Sequence, residues 1–191
     1  MAKNRLLARV FLGSLNCFFG FFRHDFAVMP VKKVSVKWTA KLRDSKDLPK
    51  YGDSGDGKFS KKFGGGRFVI PAPIEVDALM KKVPRGRLTT INDLRAALSK
   101  KHKTDFACPI TTGIFSWIAA HAADEMARQG RKRITPYWRT LKSDGQINPK
   151  YLGGAEAIRE KLEAEGHSVI QKGKRFLVKD FEKKTVGPKL K

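Results

Sequence analysis

Apolar positions fall into a regular pattern only after about residue 72. Ile74, Val76, Leu79 and Met80 sit at helical spacing, and Pro84 and Gly86 follow as stops. Ile91, Leu94, Ala97 and Leu98 line one face of a second helix. Thr89-Thr90 stands before it, where a hydroxyl can accept a bond from the free amides of the first turn. Asp93 adds the acidic charge that a helix start favours. After a polar connector, Lys100 to Asp105, Pro109 suits a first helical position. Ile110, Ile114, Ile118, Ala122 and Met126 then recur every four residues, flanked by Phe115 and Trp117. This row predicts a broad apolar face on a buried helix. Gly130 and Arg131-Lys132-Arg133 end it.

A further helix is predicted over 155–165, with Ala155, Ile158 and Leu162 inward and Gly166 as its stop. Ser168-Val169-Ile170 and Phe176-Leu177-Val178 flank Gln171 to Arg175, a β-hairpin pattern with a basic tip. The predicted fold is mostly α with a small β-hairpin. Its order, two helices, a further helix and a hairpin, is that of a winged helix-turn-helix domain over 73–182. The remainder reads differently. Val34 to Trp38 alternates like an exposed strand. Residues 29–72 form a basic, Gly-rich arm with short strands, and Tyr51 to Gly66 is its flexible centre. Residues 183–191 make a loose basic tail. Residues 1–28 combine Lys3, Arg5 and Arg9 with a Phe-rich run from Val10 to Phe22. That run is short for a stable membrane span and no small-x-small cleavage site follows. Two readings stand ahead of a signal sequence: translation from Met29, or a poorly ordered extension.

Charge narrows the partners. The 191 residues carry a formal +22, which suits a polyanion because neutralised phosphates release counterions. Two cysteines, Cys17 and Cys108, have no metal-ligand spacing and no framework to pair in. Neither a metal nor a cofactor is expected. A cytoplasmic monomer, nucleoid-associated if bacterial, is the expected setting.

Four segments then carry a resemblance. They are Val83-Pro84-Arg85-Gly86-Arg87-Leu88-Thr89-Thr90, Pro136-Tyr137-Trp138-Arg139, Tyr151-Leu152-Gly153-Gly154 and Leu162-Glu163-Ala164-Glu165-Gly166-His167. In this order the chain from Pro73 to Phe181 resembles the methylated-DNA–protein cysteine methyltransferases. In that family a Pro-Cys-His-Arg motif precedes a Tyr-Ser-Gly-Gly loop. The resemblance places the acceptor Cys at Tyr137 and its activating His at Trp138. Alkyl transfer needs a thiolate with a lowered pKa, and a phenol beside an indole supplies neither nucleophile nor base. Glu165 stands at the family's relay Glu, with a structural hydrogen bond as its expected role.

The implied base pocket is Tyr137, Trp138, Arg139, Tyr151 and Leu152, with Leu152 in place of the loop Ser. The aromatic pair is read either as a stacking surface or as filler of the former pocket. Ile91 stands where a Tyr helps turn the nucleotide, and Gly113 where an Arg intercalates. Expected DNA contacts are Thr89, Thr90, Thr111, Thr112, Gly113, Arg131, Lys132, Arg133, Lys172, Lys174 and Arg175. The resemblance implies a non-catalytic duplex-DNA binder like the alkyltransferase-like proteins. Those replace the acceptor Cys and flag damaged bases for DNA-repair proteins. Two other readings stay open: alkyl transfer through Cys108, and a winged-helix module for RNA or protein.

Overall fold

The structure, a computed structural model, describes residues 37–187. The 1–28 extension, the Val34–Val36 part of the expected strand and the last four residues of the tail lie outside them.

Helix α5 (Pro109–Arg128) is the element the others pack on. Pro109 occupies its first turn, after Cys108. Its buried face is built from small residues: Thr112, Ser116, Ala119, Ala120, Ala122 and Ala123, ending on Met126. Alanines let helices approach closely, and α1 (Lys37–Arg43), α3 (Pro73–Lys81) and α4 (Ile91–His102) all lie against α5. The expected every-four row is therefore corrected. Ile110 is 53% and Ile114 48% exposed. Four residues advance a helix by about 400°, so the row drifts about 40° per step. From Ile110 to Met126 it turns nearly to the opposite side.

Helix α4 starts as its sequence predicts. Thr90 Oγ1 accepts from the Asp93 amide at 3.2 Å, and the Asp93 carboxylate accepts from the Thr90 amide at 2.8 Å. The two bonds form a capping box. Leu94, Ala97 and Leu98 face inward as expected. In α3, Val76 and Met80 are buried and Ile74 is exposed.

The β content exceeds one hairpin, so the mostly-α expectation becomes a mixed α/β architecture with small sheets. Strand β2 (Arg67–Ile70) pairs antiparallel with β1 (Lys50–Asp53) and parallel with β4 (Phe106–Ala107). Val69 is wholly buried there. The expected flexible centre instead holds β1 and a short helix, α2 (Lys58–Phe63). Gly66 takes φ +102°, and a Cβ there would strike the Asp105 carboxylate that accepts the Arg67 amide. Trp38 lies in helix α1, not in a strand.

Strand β3 (Thr89–Thr90) runs parallel to β5 (Thr140–Leu141), which follows a 3₁₀ turn at Tyr137–Arg139. Helix α6 (Gly154–Glu163) buries Ile158 and Leu162. It leads to the hairpin of β6 (Val169–Lys172) and β7 (Arg175–Val178), with Lys172 opposite Arg175. The tail is not loose over its described part. After α7 (Phe181–Lys184), the Val186 amide donates to the Leu88 carbonyl at 2.8 Å, and the Leu88 amide to the Lys184 carbonyl at 3.0 Å.

Candidate nucleic-acid interface

Glu165 is the hub of the resembling segments. Arg139 grips it with Nε on Oε2 at 2.8 Å and Nη2 on Oε1 at 2.8 Å. Trp138 Nε1 donates to Oε1 at 2.8 Å, and the Gly86 amide reaches Oε2 at 3.4 Å. Arg139 Nη1 also donates to the Val83 carbonyl at 2.6 Å. Burial pushes the Glu165 carboxyl up, but the bonds from Arg139 and Trp138 outweigh it and hold it below the ordinary carboxylate value. A carboxylate so committed is no base. It ties the turn before α4, the 3₁₀ turn and the end of α6 together. Asp77 of α3 is fully buried. It accepts from Thr135 Oγ1 at 2.5 Å and from Lys81 Nζ at 2.6 Å. This anchor of the segment before Pro136 was not foreseen, because no local pattern links residues 58 positions apart.

The expected base pocket does not form as one cavity. Tyr137 and Tyr151 are each only 3% exposed and belong to the core. Their rings meet nearly perpendicular at 5.8 Å, and Tyr137 meets Trp138 at 5.4 Å. Burial pushes both phenols above their ordinary value, and for Tyr151 this outweighs hydrogen bonds with Ser116 and Asn148. Neither ring is open to stack a base. Trp138 is half-buried, with the Lys161 ammonium 4.8 Å over its ring. Leu152 faces elsewhere, into a crevice of about 220 Å³ shared with Trp38, His121 and Arg128.

An open groove of about 830 Å³ lies between α5 and the loop after β5. Ile110, Gly113, Ile114 and Trp117 form one wall, and Lys142, Asn148, Pro149 and Lys150 the other. Trp117 Nε1 donates to the Lys150 carbonyl at 3.1 Å and fixes the ring across the seam. Among the described residues no acidic side chain lines the groove. The loop is continuous with the hairpin: the Ile147 amide donates to the Phe176 carbonyl at 2.9 Å, and the Val178 amide to the Gly145 carbonyl at 3.1 Å. Lys172, Lys174 and Arg175 stand exposed on that hairpin, and Arg131, Lys132 and Arg133 are exposed after α5.

Other expected contacts are corrected. Thr89, Thr90 and Thr112 are buried, and Thr112 Oγ1 donates to the Cys108 carbonyl at 2.7 Å. Thr90 caps α4, Thr112 braces the start of α5 and Thr89 lies in β3, so none of the three faces outward. Thr111 is half-buried and Gly113 lines the groove. The Cys108 thiol is buried at 6% exposure. Lys142, Asn148 and Lys150 are not among the expected contacts, although they lie between two of the quoted segments. The signal was present only as spacing.

Among the described residues no group of three or more His, Cys, Asp or Glu side chains is placed to hold a metal ion. No helix among them is long and apolar enough to cross a membrane. No protein-family model, curated protein or solved structure matches this chain.

Proposed function

We propose that this protein is a non-catalytic binder of duplex DNA, related in kind to the alkyltransferase-like repair proteins. Helices α4 and α5 act as the helix-turn-helix and the β6–β7 hairpin as the wing. The observation that carries this reading is the lysine-edged groove beside the exposed start of α5, joined through Ile147 and Phe176 to a basic hairpin. Phosphate contacts from Lys172, Lys174, Arg175, Lys142 and Lys150 set the register. The groove, with Trp117 as its flat wall and Asn148 as its hydrogen-bonding edge, receives a base that has left the stack. Base–aromatic stacking of this kind contributes about 1–3 kcal/mol.

The geometry argues against alkyl transfer. The Tyr137 phenol is buried and pushed up, Glu165 is held by Arg139, and the Cys108 thiol has little access. Competition of plain duplex, duplex containing methylated guanine and structured RNA tests the reading. The protein is expected to prefer duplex, to favour the lesion, and to keep its intact mass. A stoichiometric methyl gain lost in Cys108→Ala overturns it in favour of an enzyme. Preference for the RNA overturns it in favour of a different binding module.

A further inference from the structure

Outside the groove, three side chains from three elements form a hydrogen-bonded chain. The Tyr51 hydroxyl on β1 lies 3.0 Å from His102 Nδ1, at the end of α4. His102 Nε2 lies 3.0 Å from Glu75 Oε1, in α3. Glu75 is fixed in turn, its other oxygen accepting from the Ala72 amide at 2.9 Å and Oε1 also meeting Lys101 Nζ at 2.5 Å. The tautomer follows. A carboxylate only accepts, so the neutral ring carries its proton on Nε2 and turns the Nδ1 lone pair to the phenol. This is the order nucleophile, base, orienting acid. The imidazole is sheltered, at 9% side-chain exposure, while Tyr51 is 55% exposed. The chain has three tyrosines, and Tyr137 and Tyr151 are buried.

We propose that Tyr51 is a covalent modification site, its hydroxyl activated by His102 and Glu75 toward activated acyl donors. The phenolic oxygen attacks the carbonyl carbon and the bond from that carbon to its leaving oxygen breaks. The phenolic proton passes to Nδ1 and then to the leaving group. The products are an aryl ester on Tyr51 and the released alcohol or phenol, with no oxidant or reductant involved. No residue of this relay lines the groove, so the inference stands apart from DNA binding.

The test is incubation of the full-length protein with p-nitrophenyl acetate, followed by intact mass and peptide mapping. One acetyl group is expected on Tyr51, formed about 100-fold faster than in His102→Gln, the usual scale of general-base assistance. A purely structural role would not move the solvent isotope effect. With the relay, the proton leaves the phenol as the new bond to carbon forms, and transfer is slower in deuterium oxide than in water. The wild-type isotope effect alone is decisive if His102→Gln fails to fold, and Glu75→Gln should slow the reaction in the same sense. Acetylation of Lys101 or His102 in place of Tyr51, equal rates in wild type and His102→Gln, or the absence of an isotope effect in the wild type would overturn the proposal.

Discussion

Arg139 and Glu165 show how much one buried pair holds. Their side chains are 13% and 8% exposed, and the pair joins three chain segments. Arg139→Ala would leave the carboxylate buried with only an indole and an amide for partners. Such a loss costs about 3–5 kcal/mol, and urea denaturation should read it. A loss under about 1 kcal/mol would mean that the site relaxes to admit water. His167 supplies the pH dependence. It is 3% exposed, and among the described residues neither ring nitrogen has a hydrogen-bond partner. Burial pushes its imidazole down, helped by Lys184 and opposed by Glu165. The unfolded chain therefore takes up this proton first as pH falls. The stability present above the ordinary imidazole value of about 6.5 is lost below it. Urea midpoints at pH 7 and pH 5 should differ less in His167→Phe than in the wild type. An unchanged difference would place the acid sensitivity elsewhere, Glu165 being a group that loses its contribution only at more acid pH.

Elements were legible in sequence where local chemistry decides them. Thr90 and Asp93 announce α4, Pro109 begins α5, and Gly166 ends the α6 turn at φ +83°. They were illegible where partners are distant. Helix α1 has seven residues, too few to be stable alone. Its first amides, of Trp38 and Thr39, donate to Glu125 of α5 at 2.9 and 2.8 Å. A cap supplied from 86 residues away leaves no mark in the local pattern. Strand β4 has two residues and exists through its pairing with β2. The buried face of α5 is carried by alanines, whose apolar signal is weaker than that of the isoleucines. A pair of substitutions tests which face is buried. Ile114→Lys, on the exposed side, should change stability by no more than about 0.5 kcal/mol. Ala123→Leu, wholly buried, should cost about 1–3 kcal/mol by overpacking. Thermal melts that reversed this order would restore the row of isoleucines as the buried face.

At the scale of the molecule, three of the four quoted segments meet in space around Glu165, and Tyr151 of the fourth packs against Tyr137; together they build a brace. A lysine-edged concavity lies between α5 and the loop after β5. The charge of +22 is spread along the chain, so its value for binding rests on which cations share a face with the groove. The most direct measurement is the affinity of the full-length protein for a labelled duplex as a function of salt, beside a variant with Lys172, Lys174 and Arg175 all replaced by Ala. The account predicts that wild-type affinity falls steeply with salt, and that the logarithmic slope is shallower in the variant by about one unit per lost phosphate contact. Absent binding, salt-independent binding, or the same slope in both proteins would contradict it.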